Sequence, residues 1–248
     1  MILFRVFLFL AICICCLTSF AAPATPLKLG IALSFHEDVY VNNRASNGDF
    51  TLTPAPLIFW KKDRITLRGL EGLYTFFPDN TLFDVGFSAQ FKGFSYRSSS
   101  VQERLPGVYA GPWMRVLLLH LSTLYDVLGK DAGQLTELYL IYKFPVLEKK
   151  WILIPKIGYR EFNKKYIDYF FGVSPHEAVV YPAYQPSRAG SSTFFTLINS
   201  IQINESYRID IEITKRKYSS VAENSPLVDR ANPLSGTIGL VFNADVLF

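Results

Sequence analysis

His36, His120 and His176 are the only imidazoles in the sequence, and their spacing limits the chemistry open to them. None stands four residues from another or beside a glutamate in the zincin pattern, so the chain encodes no helix-borne zinc site of that kind. Ser174, His176 and Glu177 supply a hydroxyl, a base and an acid within one short stretch. A catalytic triad is assembled by the fold rather than by adjacency, and Ser174-Pro175-His176 reads as a turn. Asp210 and Glu212 share a face if they lie on a strand, where each carboxylate would perturb the other; Arg208 on the same face makes ion pairing the simpler role. Gly69-Leu70-Glu71-Gly72 has neither the lysine nor the spacing of a phosphate-binding loop, and Asn204-Glu205-Ser206 reads as a hairpin turn rather than a glycosylation acceptor. No catalytic, cofactor-binding or metal-ligating residue is assigned, and neither an enzyme activity nor a cofactor is expected.

The elements that carry these residues have the two-residue period of β-strands. In Tyr207 to Thr214, Tyr207, Ile209, Ile211 and Ile213 alternate with Arg208, Asp210, Glu212 and Thr214. Leu27 to His36, Phe83 to Lys92, Glu137 to Phe144 and Trp151 to Arg160 are similar. Pro56 to Lys61, Arg64 to Tyr74, Trp113 to Leu121, Asp168 to Val173 and Phe195 to Ile203 are weaker strand candidates. From Gly236 to the terminal Phe248 the alternation sets Ile238, Leu240, Phe242, Ala244, Val246 and Phe248 against Thr237, Gly239, Asn243 and Asp245. An apolar edge ending on a bare phenylalanine invites aggregation in a soluble domain, whereas a closed barrel gives that strand two neighbours. Leu240, Phe242, Val246 and Phe248 are expected to form a C-terminal assembly signal presented to the barrel-assembly machinery.

A soluble sandwich alternates as well, so the polar face has to discriminate. It carries short residues (Gly30, Ala32, Ser34, Gly86, Ser88, Gly239), as the crowded interior of a small barrel requires. The charges on that face (Lys28, Lys92, Lys143, Lys156, Arg160, Arg208, Asp210 and Glu212) would then pair across a wet or plugged lumen. Aromatic residues near strand ends, Phe59-Trp60, Tyr74, Phe76-Phe77, Trp113, Trp151, Tyr166 and Tyr169-Phe170-Phe171, are expected to form girdles at the two membrane interfaces.

The N-terminus predicts export. Arg5, the apolar run Val6 to Leu17 and Ser19-Phe20-Ala21 form a secretory signal, with cleavage after Ala21 and Ala22-Pro23-Ala24 as the alternative. Residues 1–21 are thus expected to be a signal peptide, and 22–248 a single outer-membrane barrel domain. Cys13, Cys15 and Cys16 all leave with the signal, which excludes a disulfide framework and any thiolate metal site in the mature chain. Charged residues make up 19%, below the roughly 25% of ordinary soluble domains, and a net charge of +4 gives no case for nucleic-acid binding. The apolar stretches after the signal fall short of the about 20 residues of a helical span, so any crossing must be made by strands.

With strands of about 10 residues and loops of similar mean length, the chain is expected to fold as an all-β, antiparallel transmembrane barrel of about 12 strands, with 10 the second choice. Val39 to Asp49, Tyr96 to Gly111, Leu124 to Gly133, Ser174 to Gly190 and Ser219 to Pro233 read as loops.

Asp168-Tyr169-Phe170-Phe171-Gly172-Val173-Ser174, followed by Tyr181-Pro182-Ala183-Tyr184-Gln185-Pro186 and Gly190, resembles the central motif of the MltA-interacting protein (MipA)/OmpV family of outer-membrane barrels. Ser225-Pro226-Leu227-Val228, the final strand, and Pro54-Ala55-Pro56-Leu57-Ile58 are similar to other family elements. The sequence departs from the family at Phe170 and Phe171, where tyrosines are usual, and at Asn224, where an aspartate commonly precedes the Ser-Pro. The resemblance implies a non-enzymatic scaffold in the outer membrane of a Gram-negative bacterium. It would link a murein hydrolase, a lytic transglycosylase, to a murein synthase in peptidoglycan remodelling. Tyr169, Phe170, Phe171, Gly172, Val173, Ser225 and Pro226 are the motif residues expected to serve structure or interaction. The expected partners are outer-membrane lipid, the assembly machinery and these wall enzymes. A passive pore or a surface adhesin is the alternative.

Overall fold

Side-chain alternation fixes two faces on every strand, and the backbone then closes the sheet so that one face turns inward. The computed structural model describes residues 27–43, 50–78, 80, 82–98, 100–147 and 150–243. Thirteen strands form one antiparallel sheet: β1 (Lys28–Glu37), β2 (Phe50–Lys62), β3 (Ile65–Arg68), β4 (Glu71–Thr75), β5 (Phe83–Lys92), β6 (Gly107–Val116), β7 (Leu119–Asp126), β8 (Gln134–Ile141), β9 (Phe144–Val146), β10 (Trp151–Phe162), β11 (Gly190–Gln202), β12 (Tyr207–Tyr218) and β13 (Leu234–Asn243). β13 returns to β1 in register from Lys28↔Asn243 to His36↔Ser235, which closes the cylinder. β8 and β9 both pair with β10 and form one stave broken at Tyr142-Lys143, so the barrel has twelve staves. This is the expected fold and strand number.

The outer row is apolar and exposed: Ile31, Leu33, Phe87, Phe91, Leu138, Leu140, Ile157, Phe195, Ile213, Ile238 and Leu240. The inner row holds the small residues the sequence predicts, with Ser34 hydrogen-bonded to Thr237 across the β1–β13 seam at 2.9 Å. Leu240 and Phe242 lie on β13, whereas Val246, Phe248 and the signal segment through Ala21 lie outside the described residues. Among the described residues no helix is long and apolar enough to cross a membrane.

Apart from the two-residue Gly69-Leu70 turn, the strand ends alternate between shorter turns and longer loops, and long loops are the extracellular ones in outer-membrane barrels. Turns at Asp63-Arg64, Leu117-Leu118 and Asn204 to Ser206 mark the opposite, periplasmic rim. There Asn204 Oδ1 accepts from the N–H groups of Ser206 and Tyr207, each at 2.9 Å, as a hairpin turn requires.

Several expectations are corrected. Asp168 to Val173 is not a strand: α1 (Lys164–Phe171) occupies Asp168 to Phe171, started by Asn163, whose side chain accepts from Tyr166 N–H at 2.9 Å. Burial of Tyr166, Ile167, Phe170 and Phe171 on one helical face outweighs the strand propensity of these aromatic residues. For the same reason Tyr166, Phe170 and Phe171 are no membrane girdle; they are buried in the core. Phe59 and Trp113 also point inward, Phe59 under the Arg208 guanidinium at 4.8 Å and Trp113 against the lumen, because the two-residue period puts them on the inner row. Trp60, Tyr74, Phe76, Phe77 and Trp151 keep outer positions near the periplasmic end, with Tyr74 and Phe76 edge to face at 5.4 Å. Arg64 to Tyr74 is divided by the Gly69-Leu70 turn, where Gly69 takes φ +61°, and Trp113 to Leu121 by Leu117-Leu118. The loops read as Tyr96 to Gly111 and Leu124 to Gly133 are shorter than expected, since pairing continues through Gly107–Gly111 and Leu124–Asp126.

Candidate functional site

The hydrophobic core lies inside the loop end of the barrel and is built mainly of aromatic rings. α1 brings Tyr166, Phe170 and Phe171 inward; Tyr40, Phe94 and Tyr96 come from loops, and Tyr109, Phe162 and Tyr218 from the inner rows of β6, β10 and β12. Rings from the helix, a loop and the wall meet there: Phe94 with Phe170 and Tyr218, each at 6.0 Å, Phe171 with Tyr218 at 5.7 Å, and Phe162 stacked on Tyr166 at 4.5 Å. Edge and offset contacts of this kind add to the burial energy of the rings. Gly93, at φ +111°, leaves the room one ring needs, since a Cβ there would stand 2.6 Å from Phe170 Cζ.

The last turn of α1 leaves carbonyls without helical partners, and three other loops supply donors. Tyr40 OH donates to Phe170 C=O at 3.1 Å, Ser225 Oγ to Phe171 C=O at 2.6 Å, and Arg104 Nη2 to Gly172 C=O at 3.2 Å. Val173 exchanges backbone hydrogen bonds with Tyr184 at 2.8 and 2.9 Å, and the Tyr184 hydroxyl donates to Val221 C=O on the helical turn α2 (Ser220–Glu223). The two motif segments noted in the sequence thus meet at one joint, where Ser225 caps the helix that carries Phe170 and Phe171. Tyr169 remains partly exposed, with its hydroxyl 3.4 Å from the donating Leu105 N–H. Pro226 follows Ser225 in the segment that places Leu227 in the core.

Ser174, His176 and Glu177 do not form a triad. Ser174 Oγ donates to Glu177 at 2.9 Å, while His176 is exposed on the turn. Glu177 instead ties two loops together, accepting from Gln102 N–H at 2.8 Å, Ser174 N–H at 2.9 Å and Arg104 Nη2 at 3.2 Å. Burial by itself would raise the Glu177 carboxyl, but these donors outweigh it and hold it below the usual carboxylate range. Its contribution should therefore be complete above the unfolded carboxylate value and be lost as pH falls through the lower folded value. Limited proteolysis of the 93–106 loop should show protection that is flat from neutral pH down to the ordinary carboxylate range and falls below it. Glu177→Gln should remove that acid step.

Beneath the plug lies a layer of charge. Glu137 is 4% exposed and gathers three cations: Arg160 Nε donates to it at 2.7 Å and Lys156 Nζ at 3.1 Å, while Lys92 Nζ stands 3.8 Å away. Lys156 also lies 3.6 Å from the centre of the Tyr139 ring, which stacks on His120 at 4.8 Å. Nothing in the sequence pattern singled out Glu137, because its partners stand on β5 and β10. Below this layer are two lumenal cavities of about 260 Å³ and 170 Å³, both walled by Arg68, Glu71, Gln90, Tyr139 and Ile141. Arg208 and Asp210, predicted as an inner pair, are joined at 2.7 Å. Among the described residues no three His, Cys, Asp or Glu side chains converge as a metal site.

Residues 29–243 match the family model described as MltA-interacting protein MipA. No curated protein matches the chain. Similar solved structures include the COG4313 outer membrane channel from Pseudomonas putida F1, at 10% identity over 90% of this chain and 96% of that one, with a TM-score of 0.41. The translocator domain of the autotransporter NalP from Neisseria meningitidis is similar at 9% identity over 88% of each chain, with a TM-score of 0.36.

Proposed function

Because the chain belongs to the MltA-interacting protein MipA family and is an outer-membrane β-barrel of a Gram-negative bacterium, we propose that it acts by contact. In this reading it does no chemistry of its own and holds a murein hydrolase, a lytic transglycosylase, beside a murein synthase during peptidoglycan remodelling. Tethering raises the effective concentration of one enzyme near the other without any new catalytic group. The observation that carries the reading is the aromatic plug. Rings from α1, the loops and the wall occupy the loop end of the lumen, which favours a protein that works through its surface over one that conducts. Leu240 and Phe242 on the outer row of β13 fit a strand offered to the assembly machinery during insertion.

Affinity capture of the folded barrel from detergent extracts should recover a murein hydrolase or synthase, and repeated recovery of neither would defeat the proposal. The passive-pore reading draws support from the two lumenal cavities. Planar-bilayer recordings separate the two, since the plugged scaffold should be silent and a pore should give stable open steps.

A further inference from the structure

The barrel wall is incomplete between β2 and β5. These strands have 13 and 10 residues, but the β3–β4 hairpin between them has only 4 and 5. β2 pairs with β1 from Phe50 to Phe59 yet with β3 only from Phe59 to Lys62, so, among the described residues, 51–57 have a strand neighbour on one edge alone. Gly69 N–H donates to Ile58 C=O at 2.8 Å, which shows that even-numbered residues of β2 aim their backbone groups at the hairpin side. Pro54 and Pro56 have that parity, and proline has no N–H. Within a strand paired on both edges each would break a ladder bond; at an open edge each deletes a donor that lipid could not satisfy. The prolines therefore fall where the short hairpin leaves the wall open.

The notch connects to the lumen. The larger cavity is walled by the inward residues Lys92, Glu137 and Lys156, and equally by Leu70 at the hairpin tip and Phe91 on the outer row, which are 57% and 50% exposed. A cavity lined both by outer-row residues and by lumenal charges lies at the notch, with one side toward lipid and the other toward the lumen. Its mouth is apolar. Inside, Lys92, Lys156 and Arg160 share Glu137, Arg68 pairs with Glu71 at 3.3 Å, and Glu212 stands on the wall as a further carboxylate. Three cations and three carboxylates line the cavity, but around Glu137 three cations share one carboxylate, and Lys92, at 3.8 Å, is the most distant of them.

We propose that this notch is a side portal through which a single-chain amphiphile with an anionic head enters from the surrounding lipid, its head reaching Lys92 and its chain lying against Leu70 and Phe91. The proposal is independent of any wall-enzyme partner.

The test uses the folded full-length barrel in micelles, titrated with 2-bromododecanoate, whose bromine sits beside the carboxylate head and quenches tryptophan. Quenching should be saturable and centred on Trp113, which lines the adjoining cavity, so Trp113→Phe should lose the saturable part. The uncharged 2-bromododecanol should bind about tenfold more weakly, and Lys92→Gln should weaken the carboxylate to about the same degree while Lys92→Arg retains it. Leu70→Cys should bind normally until a bulky maleimide is attached, then lose binding, with wild-type protein treated alike as control. Retention of the heat-dependent gel shift identifies variants that have folded. Equal quenching by acid and alcohol, quenching that Trp113→Phe leaves intact, or binding unaffected by the maleimide each overturns the proposal.

Discussion

Replacing Phe171 with alanine should open the loop end of the barrel while leaving the cylinder intact. Phe171 is fully buried, packs on Tyr40 at 6.1 Å and Tyr218 at 5.7 Å, and offers its carbonyl to Ser225. Truncating a buried phenylalanine costs about 3–5 kcal/mol, or roughly a hundred- to several-thousand-fold in the closed-to-open ratio of the plug. The staves are held by backbone ladders that Phe171 does not touch, so the heat-dependent gel shift of the folded barrel should persist. Protease should instead cut between residues 174 and 189 far faster than in wild type, and bilayer recordings should show conductance where the wild type is silent. Wild-type protection in the variant would mean that the rings do not hold the plug shut.

Glu137→Gln should lower stability by about 3 kcal/mol, because it strands Arg160, Lys156 and Lys92 beside one another with no carboxylate between them. Much of that penalty belongs to the uncompensated guanidinium, so Glu137→Gln with Arg160→Gln should recover more than half of it. Urea unfolding midpoints of the wild type, both single variants and the double variant give the coupling directly. Simple additivity of the two losses would show that the four side chains do not act as one cluster.

Much of this architecture was legible in the residues. The inner and outer rows of β1, β5, β8, β12 and β13 follow from alternation, and the twelve staves from chain length and strand length. The helix α1 reads as a strand because Tyr169-Phe170-Phe171 has the composition of one. The signals that could have found it are Asn163 as a cap and the 166/167/170/171 spacing of its buried face. The prolines of β2 could have marked an edge, since proline cannot donate to a ladder, but nothing in the sequence stated that β3 and β4 would stop short beside them. The motif residues were also visible as a pattern without a role. Only the tertiary structure places Ser225 at the end of α1, where it caps the Phe171 carbonyl.

The sequence by itself determined which side chains meet lipid and which turn inward, because a strand's two-residue period is a local property that each segment carries alone. Only the tertiary structure decided what fills the inside. Tyr40 reaches Phe170 across 130 residues and Ser225 reaches Phe171 across 54, while Glu137 draws its cations from two other staves. Contacts at that separation depend on how the sheet closes, and closure is a property of the whole barrel.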